Sequence, residues 1–342
     1  MKKYFSSIFA VFLGALFFQL QVSAQEMPEL FSTEVPLEIQ MKFSIKDLRK
    51  QTNDSVYMDS FMSYKTEDGT WDSLEIEIRT RGNFRLNNCF YPPIRLKVKK
   101  GNKKGTPFKG QKGLKVVFPC TKVKNAGDFV GKEYLAYKLY EQVTPYYFPT
   151  RLLKISYINE DDRKPEVQEL IGFIIEDDDL VAERFGGTIY DEKKIGPSFM
   201  EDSASVRHDM FQYMIGNTDW SSLFGHNQKN LRLEGDVFVP LAYDFDMCGL
   251  VNPPYGQVSN LVDIEKITDR LYRGFCRDPE LMQTVRREFL AKQEPIMQLV
   301  QDQVYMDDGD KKLATSYLKD FFRVLESDAR FENEILGNCR SY

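Results

Sequence analysis

The first half of the chain alternates apolar and polar residues with the period of two that is typical of β-strands. Between positions 94 and 98, for example, Ile94, Leu96 and Val98 share one face of the predicted strand, and Arg95 and Lys97 share the other. Glycine, asparagine and proline separate the apolar segments. The pattern predicts strands at residues 35–45, 55–64, 73–81, 94–99, 114–118 and 170–175.

After residue 118 the apolar residues recur mainly at helical spacing. One predicted helix carries Met210, Phe211 and Met214 and should end at Gly216, because glycine accepts the left-handed backbone found at helix ends. The helical segments are residues 132–143, 205–215, 261–303 and 311–326. The chain is therefore predicted to be an α+β protein, with a β-rich part over residues 25–175 and a mainly helical part over residues 176–342.

A short predicted hairpin interrupts these helices. Its strands, 231–233 and 237–242, flank the turn sequence Glu234-Gly235-Asp236. Polar side chains gather at the two points where the chain enters and leaves this hairpin. They are Asp219, His226 and Asn227 on entry, and Asp244 and Asp246 on exit.

Carboxylate, carboxamide and imidazole groups in this order suit phosphoryl transfer, which needs an oriented acceptor hydroxyl and ligands for cations. We expect Asp219 to orient or deprotonate the acceptor hydroxyl, and His226 is the second catalytic candidate. A structural role for His226 and a simple turn-capping role for Asp219 are the alternatives.

The remaining hairpin residues predict a metal site, because Mg²⁺ prefers carboxylate and amide oxygens. Asp244 is the expected ligand between metal and phosphate, and Asp246 follows two residues later on the same predicted strand face. Asn227 is the expected amide ligand, with Asn230 as the alternative.

These motifs resemble the spore-coat protein H (CotH) kinase family. The order of helix, Asp-Trp loop, His-Asn, hairpin and Asp-Phe-Asp is similar, and four further segments match in order. They are Arg81–Arg85, Pro93–Val98, Lys132–Leu139 and Ile171–Glu176. The resemblance implies a protein-kinase-like two-lobe fold, ATP with Mg²⁺ or Mn²⁺ as cofactors, and a serine or threonine of an exported protein as acceptor.

The resemblance also implies cofactor-binding residues in the N-terminal part. Arg95 and Lys97, which share one face of their predicted strand, would meet the nucleotide phosphates. Arg81 is a further cofactor-binding candidate, and Glu176 would lie at the hinge between the lobes. In the helix at 132–143, Glu133 would pair with a strand lysine, as in protein kinases. That lysine is Lys97 or Lys115, and the sequence leaves the choice open.

Two departures from kinases limit what the resemblance implies. The metal-binding Asn of kinases follows the catalytic Asp more closely than Asn227 follows Asp219, and no Gly-x-Gly-x-x-Gly loop is present. A non-catalytic surface or envelope protein that keeps a kinase-like scaffold is therefore the alternative function. A metal-dependent hydrolase ranks third.

The N-terminus predicts export. Basic residues, an apolar segment at positions 8–18 and the small residues Val22-Ser23-Ala24 predict a signal peptide over residues 1–24. No later segment has the about 20 apolar residues that span a bilayer, so we expect a periplasmic, extracellular or cell-surface protein. The net charge of −5 and the absence of a basic aromatic patch argue against nucleic-acid binding.

Five cysteines without a Cys-x-x-Cys spacing argue against a zinc site. In an oxidising compartment, Cys89 and Cys120 are the favoured disulfide pair, because both flank strands of the β-rich part. An odd number of cysteines leaves at least one free thiol.

Overall fold

The computed structural model describes residues 26–191 and 194–341. The predicted signal peptide, residues 1–24, lies outside them. The N-terminal part contains seven strands and three helices. In chain order they are β1 (Leu37–Phe43), α1 (Ile45–Gln51), β2 (Met58–Lys65), β3 (Trp71–Thr80), α2 (Phe84–Asn88), β4 (Ile94–Val98), β5 (Leu114–Val117), α3 (Ala126–Val143), β6 (Thr150–Asn159) and β7 (Val167–Ile175).

The seven strands close into a barrel in the order β1-β2-β3-β4-β5-β7-β6. All neighbours are antiparallel except β1 and β6, whose parallel pairing begins at Leu37 and Leu153 and closes the barrel. Alternate side chains fill the interior, and Ile94, Leu96 and Val98 of β4 are buried there, as the alternation predicts.

The closed barrel shows that the predicted kinase-like two-lobe fold is wrong. That prediction had five strands before the helix and gave no pairing between the first strand and a later one. Strand β6 was not predicted, and its pairing with β1 turns the sheet into a barrel.

The C-terminal part is mainly helical and contains a small antiparallel sheet in the order β10-β9-β8. In chain order its elements are α4 (Asp178–Arg184), β8 (Thr188–Tyr190), α5 (Asp202–Met214), β9 (Gln228–Leu233), β10 (Val237–Ala242), α6 (Pro279–Ala291), α7 (Gln293–Gln301), α8 (Asp308–Glu326) and α9 (Asp328–Glu334).

The predicted hairpin and the end of the helix before it are confirmed. Strands β9 and β10 pair around a turn in which Gly235 has a positive φ of 77°. Helix α5 ends just before Gly216, whose φ is 63°, and a Cβ there would lie 1.9 Å from the Tyr317 hydroxyl. The predicted helix beginning at residue 261 is wrong, because residues 261–278 contain neither helix nor strand and α6 begins at Pro279.

Helix α3 connects the barrel to the hairpin. It is buried on all sides, packs on β6, β7, α5 and α7, and even its polar residues Lys132, Glu133 and Lys138 are buried. Its Tyr137 ring lies 4.7 Å from the Phe245 ring in the segment after β10. Barrel and hairpin therefore share this helix as a common support.

The predicted disulfide between Cys89 and Cys120 is confirmed. A second disulfide, between Cys276 and Cys339, was not predicted, and Cys248 is the buried free thiol. In the part of the chain that the structure describes, every helix is too short or too polar to cross a bilayer.

Candidate functional site

A cleft of about 1030 Å³ lies between the barrel and the hairpin. Eight of the predicted site residues line it. They are Arg81, Arg95, Lys115, Asp219, His226, Asn227, Asp244 and Asp246. The cleft thus brings cations from the barrel side together with carboxylates from the hairpin side.

Asn227 and Asp244 lie at the same end of the hairpin, one just before β9 and the other just after β10. Both have a left-handed backbone, with φ of 49° and 65°. The backbone N–H of Tyr243 donates to the Asn227 carbonyl oxygen at 3.2 Å, and the N–H of Asp244 donates to the Tyr137 hydroxyl at 2.9 Å. These bonds hold a conformation that most residue types avoid.

The side chains of His226 and Asn227 hold the Asp219 carboxylate. His226 Nε2 lies 2.9 Å from one carboxylate oxygen, and Asn227 Nδ2 donates to the other at 3.0 Å. The hydrogen bond from His226 lowers the pKa of Asp219, and the same bond raises the pKa of His226. The side-chain NH₂ group of Asn227 is committed to Asp219. The side-chain oxygen Oδ1 of Asn227 is therefore the atom left to bind a metal.

Asp246 is the most deeply buried carboxylate of the cleft, with 5% of its surface exposed. It lies in the segment after β10 rather than on the strand, so the predicted strand position of Asp244 and Asp246 is wrong. Its Oδ2 atom has no hydrogen-bond partner among the described residues. Burial raises the pKa of Asp246, the charge of Asp244 adds to this, and Arg85 opposes it.

Arg85, in helix α2, is the cation nearest to this buried acid. Its Nε lies 3.9 Å from Asp246 Oδ2, and its Nη1 donates to Glu133 Oε2 at 3.4 Å. Burial raises the pKa of Glu133, and Arg85 opposes that shift. The predicted pairing of Glu133 with Lys97 or Lys115 is wrong, because Arg85 takes that position.

The two candidate lysines have other partners. Lys115 Nζ lies 2.5 Å from Asp178 Oδ1 in an ion contact that lacks hydrogen-bond geometry. Burial lowers the pKa of Lys115 despite this contact. Burial alone would raise the pKa of Asp178, but Lys115 and Lys229 lower it to about 2. Lys97 lies outside the cleft lining, 3.9 Å from the centre of the Tyr57 ring.

The two predicted arginines differ in how firmly they are held. Arg95 forms an ion pair with Asp177, the residue that caps α4. Arg81 forms no side-chain hydrogen bond or ion pair within residues 26–191 and 194–341, and its Nε is buried without a partner. Its charge lowers the pKa of both Asp246 and Glu133, and its side chain lines the cleft. Arg81 is therefore a cation whose donors are available to an anion.

Two other predicted residues do not line the cleft. Glu176 is fully buried and forms an ion pair with Arg184 of α4. Asn230 lies in β9, where its side-chain oxygen accepts from Gln228 Nε2 at 2.7 Å. Of the two asparagines that the sequence left open, Asn227 is the one that faces the cleft.

Three residues of the site escaped sequence reasoning. Arg85 stands four residues after Arg81 in the Arg-Gly turn, which was quoted as a motif without a role for its second arginine. Lys229 lines the cleft at the start of β9, next to Gln228. The alternation of residues along that strand was the signal that could have identified it. Tyr137 lies one helical turn after Glu133 on α3.

No protein-family model matches this chain. The search of curated proteins finds no match either. Among solved structures, the chain is similar to the proinflammatory kinase CtkA of Helicobacter pylori, with 12% sequence identity and a TM-score of 0.38. The match covers 72% of this chain and 91% of that one. A likeness of this size does not establish a shared fold.

Proposed function

We propose that the cleft transfers a phosphoryl group from ATP to a serine or threonine of an exported protein, with Mg²⁺ or Mn²⁺. One observation carries the proposal: Asp246 is buried beside Asp244 with an unpartnered oxygen. An ionised carboxylate in such a place is costly unless a cation meets it. Arg85 is 3.9 Å away and is shared with Glu133, so it neutralises Asp246 only in part.

The oxygen atoms at this end of the cleft fit a magnesium or manganese ion. The ligands that would hold it are the carboxylates of Asp244 and Asp246 and the side-chain oxygen Oδ1 of Asn227, with water completing the shell. The ion would supply positive charge against the phosphate oxygens. The left-handed backbone of Asn227 and Asp244 supports this assignment, because such strained positions are concentrated at functional sites.

The opposite wall suits the phosphates of a nucleotide. Arg81 has free donors, and Lys115 and Lys229 add charge near Asp178. Arginine binds phosphate through paired N–H groups, and lysine acts as a point charge. A ligand with several negative charges would therefore lie between this wall and the carboxylates.

Asp219 would serve the acceptor. The acceptor hydroxyl oxygen would form the new bond to the terminal phosphorus, the bond from that phosphorus to its bridging oxygen would break, and ADP would leave. The hydroxyl proton would pass to Asp219, whose carboxylate has lone pairs beyond the two that accept from His226 and Asn227. The lowered pKa of Asp219 makes it a weak base that would take the proton only as the new bond forms, so its main contribution would be to orient the hydroxyl.

Export of the protein is part of the proposal. It rests on the predicted signal peptide and is supported by two disulfides, which persist in oxidising compartments. The acceptor would then be a protein of the envelope or the cell exterior.

Transfer of labelled phosphate tests the proposal. The mature protein is incubated with ATP labelled at its terminal phosphate, Mg²⁺ or Mn²⁺, and dephosphorylated casein as a general acceptor. We expect metal-dependent label on serine or threonine, lost in Asp219→Asn and retained in Asp236→Asn, an exposed aspartate at the far turn of the hairpin. A protein that binds metal and ATP but neither transfers nor hydrolyses phosphate is a binding protein.

A further inference from the structure

A continuous series of hydrogen bonds leads from the core of helix α5 to Asp219. His208 Nδ1 lies 2.9 Å from Asp209 Oδ1, and His208 Nε2 lies 3.2 Å from Gln212 Nε2. Asn217 Nδ2 donates to Gln212 Oε1 at 2.9 Å, and the backbone N–H of Asp219 donates to Asn217 Oδ1 at 2.9 Å. Sequence reasoning gave His208, Asp209 and Gln212 no role.

The series is closed off from water. His208, Gln212 and Asn217 expose at most 1% of their surface. The Trp220 ring lies 4.8 Å from the His208 ring, and its indole N–H donates to the Asn217 carbonyl oxygen at 3.0 Å. Because water cannot replace a lost partner here, each polar group depends on its neighbour in the series.

The direction of every hydrogen bond in the series follows from the last one, which the Asp219 backbone N–H donates to Asn217. A backbone N–H can only donate, so the Asn217 oxygen must face Asp219 and its NH₂ group must face Gln212. The Gln212 oxygen then accepts, and its NH₂ group points at His208. His208 Nε2 must accept that bond, so the ring proton lies on Nδ1 and is donated to Asp209.

We infer that His208, Gln212 and Asn217 are positioning residues for Asp219, and that His208 acts as the neutral imidazole protonated on Nδ1. The series fixes the backbone of Asp219 from the core side, while His226 and Asn227 fix its carboxylate from the cleft side. This inference goes beyond the proposed function, because it concerns how Asp219 is placed and not which reaction it serves.

The proton position on His208 is the first test, measured by long-range proton–nitrogen NMR on the folded wild-type protein. The spectrum holds only two histidines, so the assignment is direct. We expect a proton on Nδ1 and a bare Nε2 for His208. A proton on Nε2 of the wild-type ring would overturn the inference.

Asn217→Asp tests whether the side chain at position 217 determines the orientation of the Gln212 amide and, through it, the proton position on His208. The new side chain still accepts from the Asp219 N–H but can no longer donate to Gln212. The Gln212 amide must then turn round and present its oxygen to His208. We expect a proton to appear on His208 Nε2 in this variant, and an unchanged proton position would contradict the inference.

Gln212→Met removes the middle of the series with little change in volume. We expect exchange of the Asp219 amide proton and the Trp220 indole proton to become roughly tenfold faster or more. Gln303→Met is the matched control, because Gln303 is also buried and donates to a backbone carbonyl, that of Leu299. Equal exchange in both variants would show that Gln212 is an ordinary core residue. If Gln212→Met does not fold, the wild-type proton position still decides.

Discussion

Asn227, just before β9, and Asp244, just after β10, face one cleft from the same end of the hairpin, and both have a left-handed backbone. The N–H of Tyr243, the residue before Asp244, donates to the Asn227 carbonyl oxygen, so the two positions are fixed relative to each other. The left-handed backbone of both residues and the buried, unpartnered oxygen of Asp246 support the proposal that this end of the cleft is functional.

The stability of the metal-free protein should depend on pH through Asp246. Burial raises the pKa of Asp246 in the folded state above the value of about 4 in the unfolded chain. As pH rises from the pKa of Asp246 in the unfolded chain to its higher pKa in the folded protein, the unfolded chain releases a proton that the folded protein retains. The free energy of unfolding therefore decreases. Urea unfolding over a pH series should show this decrease in the wild type.

Asp246→Asn removes that contribution. The free energy of unfolding of the variant should therefore exceed that of the wild type by an amount that grows from about pH 4 toward neutrality. A difference that stays constant over this range would mean that Asp246 does not titrate as a buried acid.

Arg85→Met should destabilise the protein by about 3–5 kcal/mol, because it leaves the buried Glu133 without its cation partner. A second substitution, Glu133→Gln, should recover part of this loss. Arg286→Met is the matched control: Arg286 is equally buried, but its carboxylate partner Asp328 is exposed to water. Chemical unfolding checks both, and an equal loss in the two arginine variants would contradict the account.

The sequence predicted local structure well where turn chemistry decides it. Gly216 ends α5 and Gly235 shapes the hairpin turn because their backbone conformations favour glycine. These two local features bring Asp219, Asn227 and Asp244 toward each other. Most of the hairpin side of the site was therefore predictable.

The barrel was not predictable from alternation. Its closure depends on Leu37 pairing with Leu153, and a period of two says nothing about which distant strands pair. The pairing of Glu133 with a strand lysine came from the resemblance to kinases, and not from the alternation. Only the folded barrel shows that the short helix α2 brings Arg85 between Glu133 and Asp246.

The disulfide between Cys89 and Cys120 should matter for binding as well as for stability. Cys89 ends the helix that carries Arg85, and the backbone N–H of Phe90 donates to the Cys120 carbonyl oxygen at 2.7 Å. Cys89→Ala/Cys120→Ala should cost about 4 kcal/mol of stability. It should also weaken metal–nucleotide binding, because α2 and Arg85 lose their anchor.

Cys276→Ala/Cys339→Ala is the control for that effect. It removes a disulfide that closes a longer loop and whose residues do not line the cleft. Stability should decrease by a similar amount, about 4 kcal/mol, while the affinity stays unchanged when both are measured by calorimetry. Equal affinities in the two double variants would show that the first disulfide supports stability alone.

Asp219→Asn should separate binding from transfer. Metal-dependent ATP binding should remain, and the transfer rate should decrease by about 10²–10⁴-fold. The pKa of His226 should decrease toward its ordinary value, because the hydrogen bond that His226 donates to the Asp219 carboxylate raises it. NMR titration of His226 in the wild type and in the variant checks this. An unchanged His226 pKa would mean that the pair does not form in solution.

Calorimetric titration of the mature protein with ATP, with and without Mg²⁺ or Mn²⁺, tests the central claim most directly. An Asp244→Ala variant is run beside the wild type. The account predicts binding to the wild type that requires the metal and is lost in the variant. Absence of binding with either metal, or equal binding to the variant, would contradict a metal–nucleotide site in this cleft.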